Sequence, residues 1–278
     1  MKRRFHQVDV FSAVPLVGNP LAVVHAAQGL DDATLAAFAR WTNLSETAFL
    51  LPPVDPAADY RVRIFTPGGE LPFAGHPTLG SCWAWLAAGG VPKVPGTVVQ
   101  ECGVGLVQVR RQAGRLAFAA PPLHRTGPLE ADLLQRIVAA VGVDPAEVLH
   151  HQWVDNGPGW CALMLRSAAA VLAARVDGSL LGDVKLGLVG AHPAGSECAF
   201  EVRALYPVPA GLIEDPVTGS LNASLAQWLI SVGLAPSRYL AAQGTLLQRA
   251  GRVHIEQDGG TVWVGGDVTP LVEGEVTL

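Results

Sequence analysis

The segment Tyr60-Arg-Val-Arg-Ile-Phe-Thr-Pro67 returns 140 residues later as Phe200-Glu-Val-Arg-Ala-Leu-Tyr-Pro207. Both read aromatic, x, Val, Arg, x, apolar, x, Pro. Continued without a gap, the alignment lays Gly75-His-Pro-Thr78 on Asp215-Pro-Val-Thr218. A mostly apolar, helix-length run follows each, over 79–88 and 221–232. A repeat at about half the chain length marks two copies of one supersecondary unit. Two lobes are therefore expected, 1–120 and 121–278, with the closing residues returning to the first. Each should carry a strand, a proline-marked loop and a buried helix.

Segments rich in β-branched residues and bounded by Gly or Pro read as strands over 5–11, 21–24, 60–65, 97–101, 106–110, 161–165, 199–205, 252–256 and 261–264. Helical patterns cover 31–41 and 129–141. Strands and helices do not alternate strictly, so the expected class is α+β and not doubly wound.

Composition removes whole classes of function. Of 278 residues, 50% are hydrophobic and 15% charged, which excludes intrinsic disorder. A net charge of −5 without a basic run argues against nucleic acid or an anionic membrane as partner. Cys82, Cys102, Cys161 and Cys198 stand far apart, in neither a disulfide framework nor a zinc module. Asp9 interrupts the basic opening before any apolar stretch, so no signal peptide is read, and no run approaches the roughly 18 apolar residues of a membrane span. A cytoplasmic protein is expected, and the excess of apolar residues hints at a buried subunit interface.

A helix that is apolar on every side is buried on every side. The two repeat helices open on small residues: Thr78, Gly80 and Ser81 in one, Thr218, Gly219 and Ser220 in the other. Small residues leave first-turn N–H groups open, and with the helix dipole these form an anion site. Two such ends facing each other across a cleft would grip a small carboxylate-bearing molecule.

Several side chains near these ends have two readings. Glu46, in Asn43-Leu-Ser-Glu-Thr-Ala-Phe49, is an exposed glutamate at a strand start or a general base whose pKa burial raises. His76 is a loop histidine serving nearby backbone, or a donor or proton relay at a helix start. Asp215 is a turn or cap aspartate, or a second carboxylate opposite Glu46. Ser220 is a cap or a substrate contact. Asn19 lies in the turn Gly18-Asn19-Pro20 and can point into the cleft. Gly75, Thr218 and Gly219 complete the candidate substrate-binding set. His150-His151 has a poor metal spacing and reads as surface. No Walker motif, complete GxGxxG, hydrolase elbow or metal cluster stands out, so no cofactor and no metal are expected.

The motifs Val8-Asp-Val-Phe11, Gly18-Asn-Pro-Leu-Ala-Val23, Asn43-Leu-Ser-Glu-Thr-Ala-Phe49, Phe65-Thr-Pro67 with Gly75-His-Pro-Thr78, and Glu214-Asp-Pro-Val-Thr-Gly-Ser220 resemble those of the PhzF, or phenazine biosynthesis-like, family. Gln243-Gly and Val264-Gly-Gly266 resemble its tail, and the resemblance runs in order along nearly the whole chain. It implies the diaminopimelate epimerase-like fold: two pseudo-symmetric lobes, each a curved, mostly antiparallel sheet around a central helix. It also implies a cofactor-independent homodimeric isomerase that moves a proton between carbons. The characterised phenazine enzyme acts on trans-2,3-dihydro-3-hydroxyanthranilate. By resemblance Glu46 is the catalytic base, with His76, Asp215 and Ser220 in support. The epimerases of this fold carry one thiol at a helix start in each lobe, and here no cysteine stands there, so a two-cysteine epimerase is not expected. The competing reading is a non-catalytic protein that binds a small molecule on the same fold.

Overall fold

The computed structural model describes residues 1–112, 114–208 and 211–278. It divides into two units: 1–119 joined by 265–278, and 120–264. The class is α+β, dominated by sheet.

In the first unit β1 (Lys2–Val10) pairs antiparallel with β2 (Asn19–Val24) and with the C-terminal strand Val268–Thr277. β2 runs parallel to β3 (Glu46–Leu51). A parallel neighbour needs a crossover, and α1 (Asp32–Thr42) supplies it. Asp31 caps this helix by accepting the Thr34 N–H at 2.8 Å, and Asn43 ends it in the left-handed conformation at φ 53°. The reading of 31–41 thus shifts by one residue, because Asp31 caps the helix and does not enter it. β3 pairs antiparallel with β4 (Tyr60–Thr66), which pairs antiparallel with β5 (Gly69–Leu71). After α2 (Gly75–Ala87), β6 (Thr97–Cys102) pairs parallel with β4, and β7 (Gly105–Gln112) and β8 (Arg115–Ala119) close the meander.

The second unit repeats the order. After α3 (Ala131–Val141), β9 (Val148–Trp153) is antiparallel to β10 (Trp160–Leu165). β10 is parallel to β11 (Lys185–Ala191) across the short helices α4 (Ala168–Ala173) and α5 (Gly178–Leu181). β11 is antiparallel to β12 (Phe200–Val208), and β12 is antiparallel to β13 (Gly211–Asp215). After α6 (Gly219–Ser231), β14 (Arg238–Gln243) is parallel to β12 and antiparallel to β15 (Gly251–Asp258), which β16 (Thr261–Gly266) follows. The pairing sequence from β9 to β15 is that of β1 to β7.

The registers correct the ungapped alignment beyond the echo. Ile64 lies opposite Leu71, but its counterpart Ala204 lies opposite Asp215. The second hairpin is two residue pairs longer, ending at Val208 opposite Gly211 where the first ends at Thr66 opposite Gly69. Four residues are thereby inserted, so Gly75 matches Gly219, His76 matches Ser220, and Asp215 matches Leu71.

α2 packs on β1, β2, β3, β4, β6, β7 and β8, with 75–82 buried throughout. Gly80 allows the close approach: a Cβ there would lie 2.5 Å from Leu21 and 3.1 Å from Val8 and Val10. All three neighbours are fully buried and cannot yield. Gly80→Val is therefore expected to cost about 1–3 kcal/mol through overpacking, read as a lower urea midpoint at unchanged slope. α6 is buried over 219–226 in the same way.

Candidate active site

The left-handed Asn43 turns the chain out of α1, and Glu46 opens β3 opposite Leu21. The bond between the Thr42 and Thr47 hydroxyls, 3.0 Å, ties the two elements at this corner. The Glu46 side chain keeps 16% exposure, while His76, second residue of α2, keeps 4%. Glu46 Oε2 lies 3.4 Å from His76 Nε2. The other ring nitrogen, Nδ1, lies 3.3 Å from Asn19 Nδ2. Glu46, His76 and Asn19 thus form one cluster. No side chain caps the N-terminus of α2, which begins at Gly75.

Asn19 is held by a contact that sequence reading missed. Asp9 is buried and accepts the Gly18 N–H at 2.9 Å. Gly18 is obligatory, since a Cβ there would lie 2.5 Å from the Val10 carbonyl oxygen. Phe11, fully buried, adopts φ 65°, a conformation that costs a non-glycine residue energy and that the packing around it must impose.

Burial pushes the His76 imidazole down to about 3, with a hydrogen bond to the Pro20 backbone acting the other way. The ring is neutral, with one N–H and one lone pair. Asn19 Nδ2 can only donate, so Nδ1 presents its lone pair to it and the ring proton sits on Nε2, facing Glu46.

Burial also pushes His25 down to about 4. Both rings take up protons more readily in the unfolded chain, near 6.5. Their contribution to stability is therefore complete above about pH 6.5 and is lost as the pH falls towards 4 and 3. From His76 alone the unfolding free energy should drop by on the order of 3 kcal/mol between pH 7 and pH 4, with a further share from the more exposed His25. Urea titrations at stepped pH would measure it, and His76→Gln should flatten the curve.

In the second unit Thr218 caps α6 through its backbone only, leaving that N-terminus open too. The Thr218 hydroxyl donates to Asp215 Oδ2. Ser220, matching His76, accepts from Trp160 Nε1 at 3.1 Å through its hydroxyl and from Asn156 Nδ2 at 2.9 Å through its carbonyl. Gly219 is the first residue of the helix. The second-unit candidates Asp215, Thr218, Gly219 and Ser220 therefore gather at one helix end. Asn156, Trp160, Asn222 and Gln243 support it and were not singled out as site residues; only Gln243-Gly carried a motif signal.

His150 is exposed, but His151 is half-buried and accepts the Leu129 N–H at 3.1 Å, which corrects its reading as surface. No thiol stands at the start of α2 or α6. Burial raises all four, Cys82 and Cys161 to about 12, which suits none of them for proton transfer at neutral pH. Among the described residues no helix is long and apolar enough to cross a membrane.

Residues 8–274 match the family model described as phenazine biosynthesis-like protein, PhzC-PhzF. The chain belongs to this family. A PhzF relative from Pseudomonas aeruginosa, trans-2,3-dihydro-3-hydroxyanthranilate isomerase, is 31% identical, with 99% of each chain covered. A PhzF-family protein of Enterococcus faecalis has the same fold, at TM-score 0.81 and 24% identity with 100% of both chains covered. A hydroxyproline epimerase of Agrobacterium vitis shares the fold more distantly, at TM-score 0.59 and 13% identity over 99% of this chain and 91% of that one. This chain is thus a PhzF-type isomerase on a diaminopimelate epimerase-like fold.

Proposed function

We propose that the protein moves a proton between carbons of a small carboxylate-bearing amino or hydroxy acid, without a cofactor, using Glu46 as the base. The observation that carries this reading is Glu46 itself: a partly exposed carboxylate beside a buried neutral imidazole, at an uncapped helix start. Glu46 takes a proton from a carbon whose negative charge the adjoining system delocalises, and returns it elsewhere. His76 presents its Nε2 proton to Glu46, while Asn19 holds the ring in that tautomer. Asp215 orients the amino or hydroxyl group of the substrate. Ser220 and the first-turn N–H groups at Gly75 and Gly219 bind its carboxylate, while the Thr218 hydroxyl serves Asp215. Exclusion of water protects the carbanion-like intermediate. The same reading takes the working form to be a homodimer, as the family resemblance implies, and places it in the cytoplasm, which suits its scattered cysteines.

The test is incubation with trans-2,3-dihydro-3-hydroxyanthranilate in D₂O, followed by proton NMR. Conversion with deuterium uptake at carbon is the expected result. Binding without conversion or exchange, for this compound and for a panel of amino and hydroxy acids, would favour a non-catalytic binding protein.

A further inference from the structure

Gln243 ends β14 and is 1% exposed. Its carbonyl oxygen accepts from the Thr218 N–H at 3.0 Å and from Asn222 Nδ2 at 2.8 Å. Its amide nitrogen donates to the Asp215 carbonyl at 3.1 Å and to Thr218 Oγ1 at 3.0 Å. A glutamine has two donors and two acceptor positions, and all four are used. Two of the partners are backbone groups of fixed character: an N–H can only donate and a C=O can only accept. The amide therefore has one orientation. It follows that Thr218 Oγ1 receives a hydrogen from Gln243. The single hydroxyl proton is then committed to its other neighbour, Asp215 Oδ2. The next residue, Gly244, permits the close approach, because a Cβ there would lie 2.6 Å from the Pro216 carbonyl oxygen.

We propose that Gln243 is a positioning residue for Asp215, fixing one carboxylate oxygen through the Thr218 hydroxyl so that the carboxylate meets substrate in a single orientation. This rests on the reading of Asp215 as a substrate-orienting group. Gln243 touches no substrate; it sets the direction of a hydrogen bond two groups away.

The test follows the Asp215 carboxyl by carbon-13 NMR through a pH titration. Loss of a hydrogen bond to the charged form raises the midpoint. Thr218→Val should raise it by about one pH unit or more. Gln243→Met, which frees the hydroxyl to turn away, should raise it similarly, and Thr218→Ser should restore the wild-type value. The double variant Gln243→Met/Thr218→Val should titrate like Thr218→Val alone, because the two act in series. Turnover of a converting substrate should fall about tenfold in Thr218→Val and in Gln243→Met, and no further in the double. An unmoved midpoint in Thr218→Val or in a folded Gln243→Met, or shifts that add in the double variant, would overturn the proposal. Should Gln243→Met fail to fold, the Val and Ser replacements at Thr218 still decide whether that hydroxyl holds Asp215. Full turnover in Asp215→Asn would instead overturn the role of Asp215 itself, and the titration is read without turnover.

Discussion

Glu46→Gln is expected to reduce turnover by about 10²–10⁴-fold, the usual worth of a positioned general base. The substitution keeps the size of the side chain and its ability to bond with the His76 ring, 3.4 Å away. It removes only the capacity to accept a proton. No group in the cluster can replace it: burial holds His76 at about 3, so its basicity at neutral pH is slight. Asn19 does not titrate. The side chain is not fully buried, so the unfolding free energy should change by no more than about 1 kcal/mol. Deuterium incorporation and the urea midpoint, measured on one preparation, separate the two effects. Normal turnover in the variant would mean that the base lies elsewhere.

Arg203→Leu is expected to cost about 3–5 kcal/mol of stability, the typical result of leaving a buried charge alone. Arg203 and Glu214 form a two-pronged pair at 3.1 and 2.8 Å, with side chains only 8% and 11% exposed. The guanidinium also donates to the carbonyls of Val171 and Ala174, near the end of α4, at 3.1 and 2.9 Å. Removing it strands the carboxylate and two carbonyls together. The double variant Arg203→Leu/Glu214→Leu should recover a large part of the loss, since the unpaired charge goes with it. Denaturant titration of wild type, both single variants and the double gives the coupling energy. Glu214 adjoins Asp215, so the single variant should also weaken catalysis beyond its effect on folding.

Much of the frame was legible because the Arg-bearing strand pattern survives in both copies, at Tyr60 and at Phe200. The shift of four residues after the hairpin was not, since lengthening both strands by two residues leaves the alternation unbroken and no trace of the insertion. With it went the match of His76 to Ser220. β11 escaped because Gly187 and Gly190 dilute its strand character, yet packing demands them: a Cβ on Gly187 would lie 2.6 Å from Leu221. The C-terminal strand 268–277 is mostly exposed, so no alternation of buried and exposed residues marks it. Glu46, His76 and Asp215 stood out by motif and residue type. Asp9 did not, because what singles it out is one hydrogen bond to Gly18. Gln243 was visible only as part of a family-like tail, and its four contacts reach back to Asp215, Thr218 and Asn222.

The first unit takes β1 from one end of the chain and its partner strand 268–277 from the other. During synthesis every residue of the second unit leaves the ribosome before that partner does. One flank of β1 therefore waits, unpaired, through more than half of translation, while the second unit is contiguous and can close at once. Expression of 1–119 alone would yield a sheet with an open flank, prone to pair with a neighbouring chain. An excised first unit calls for 265–278 to be joined back through a linker.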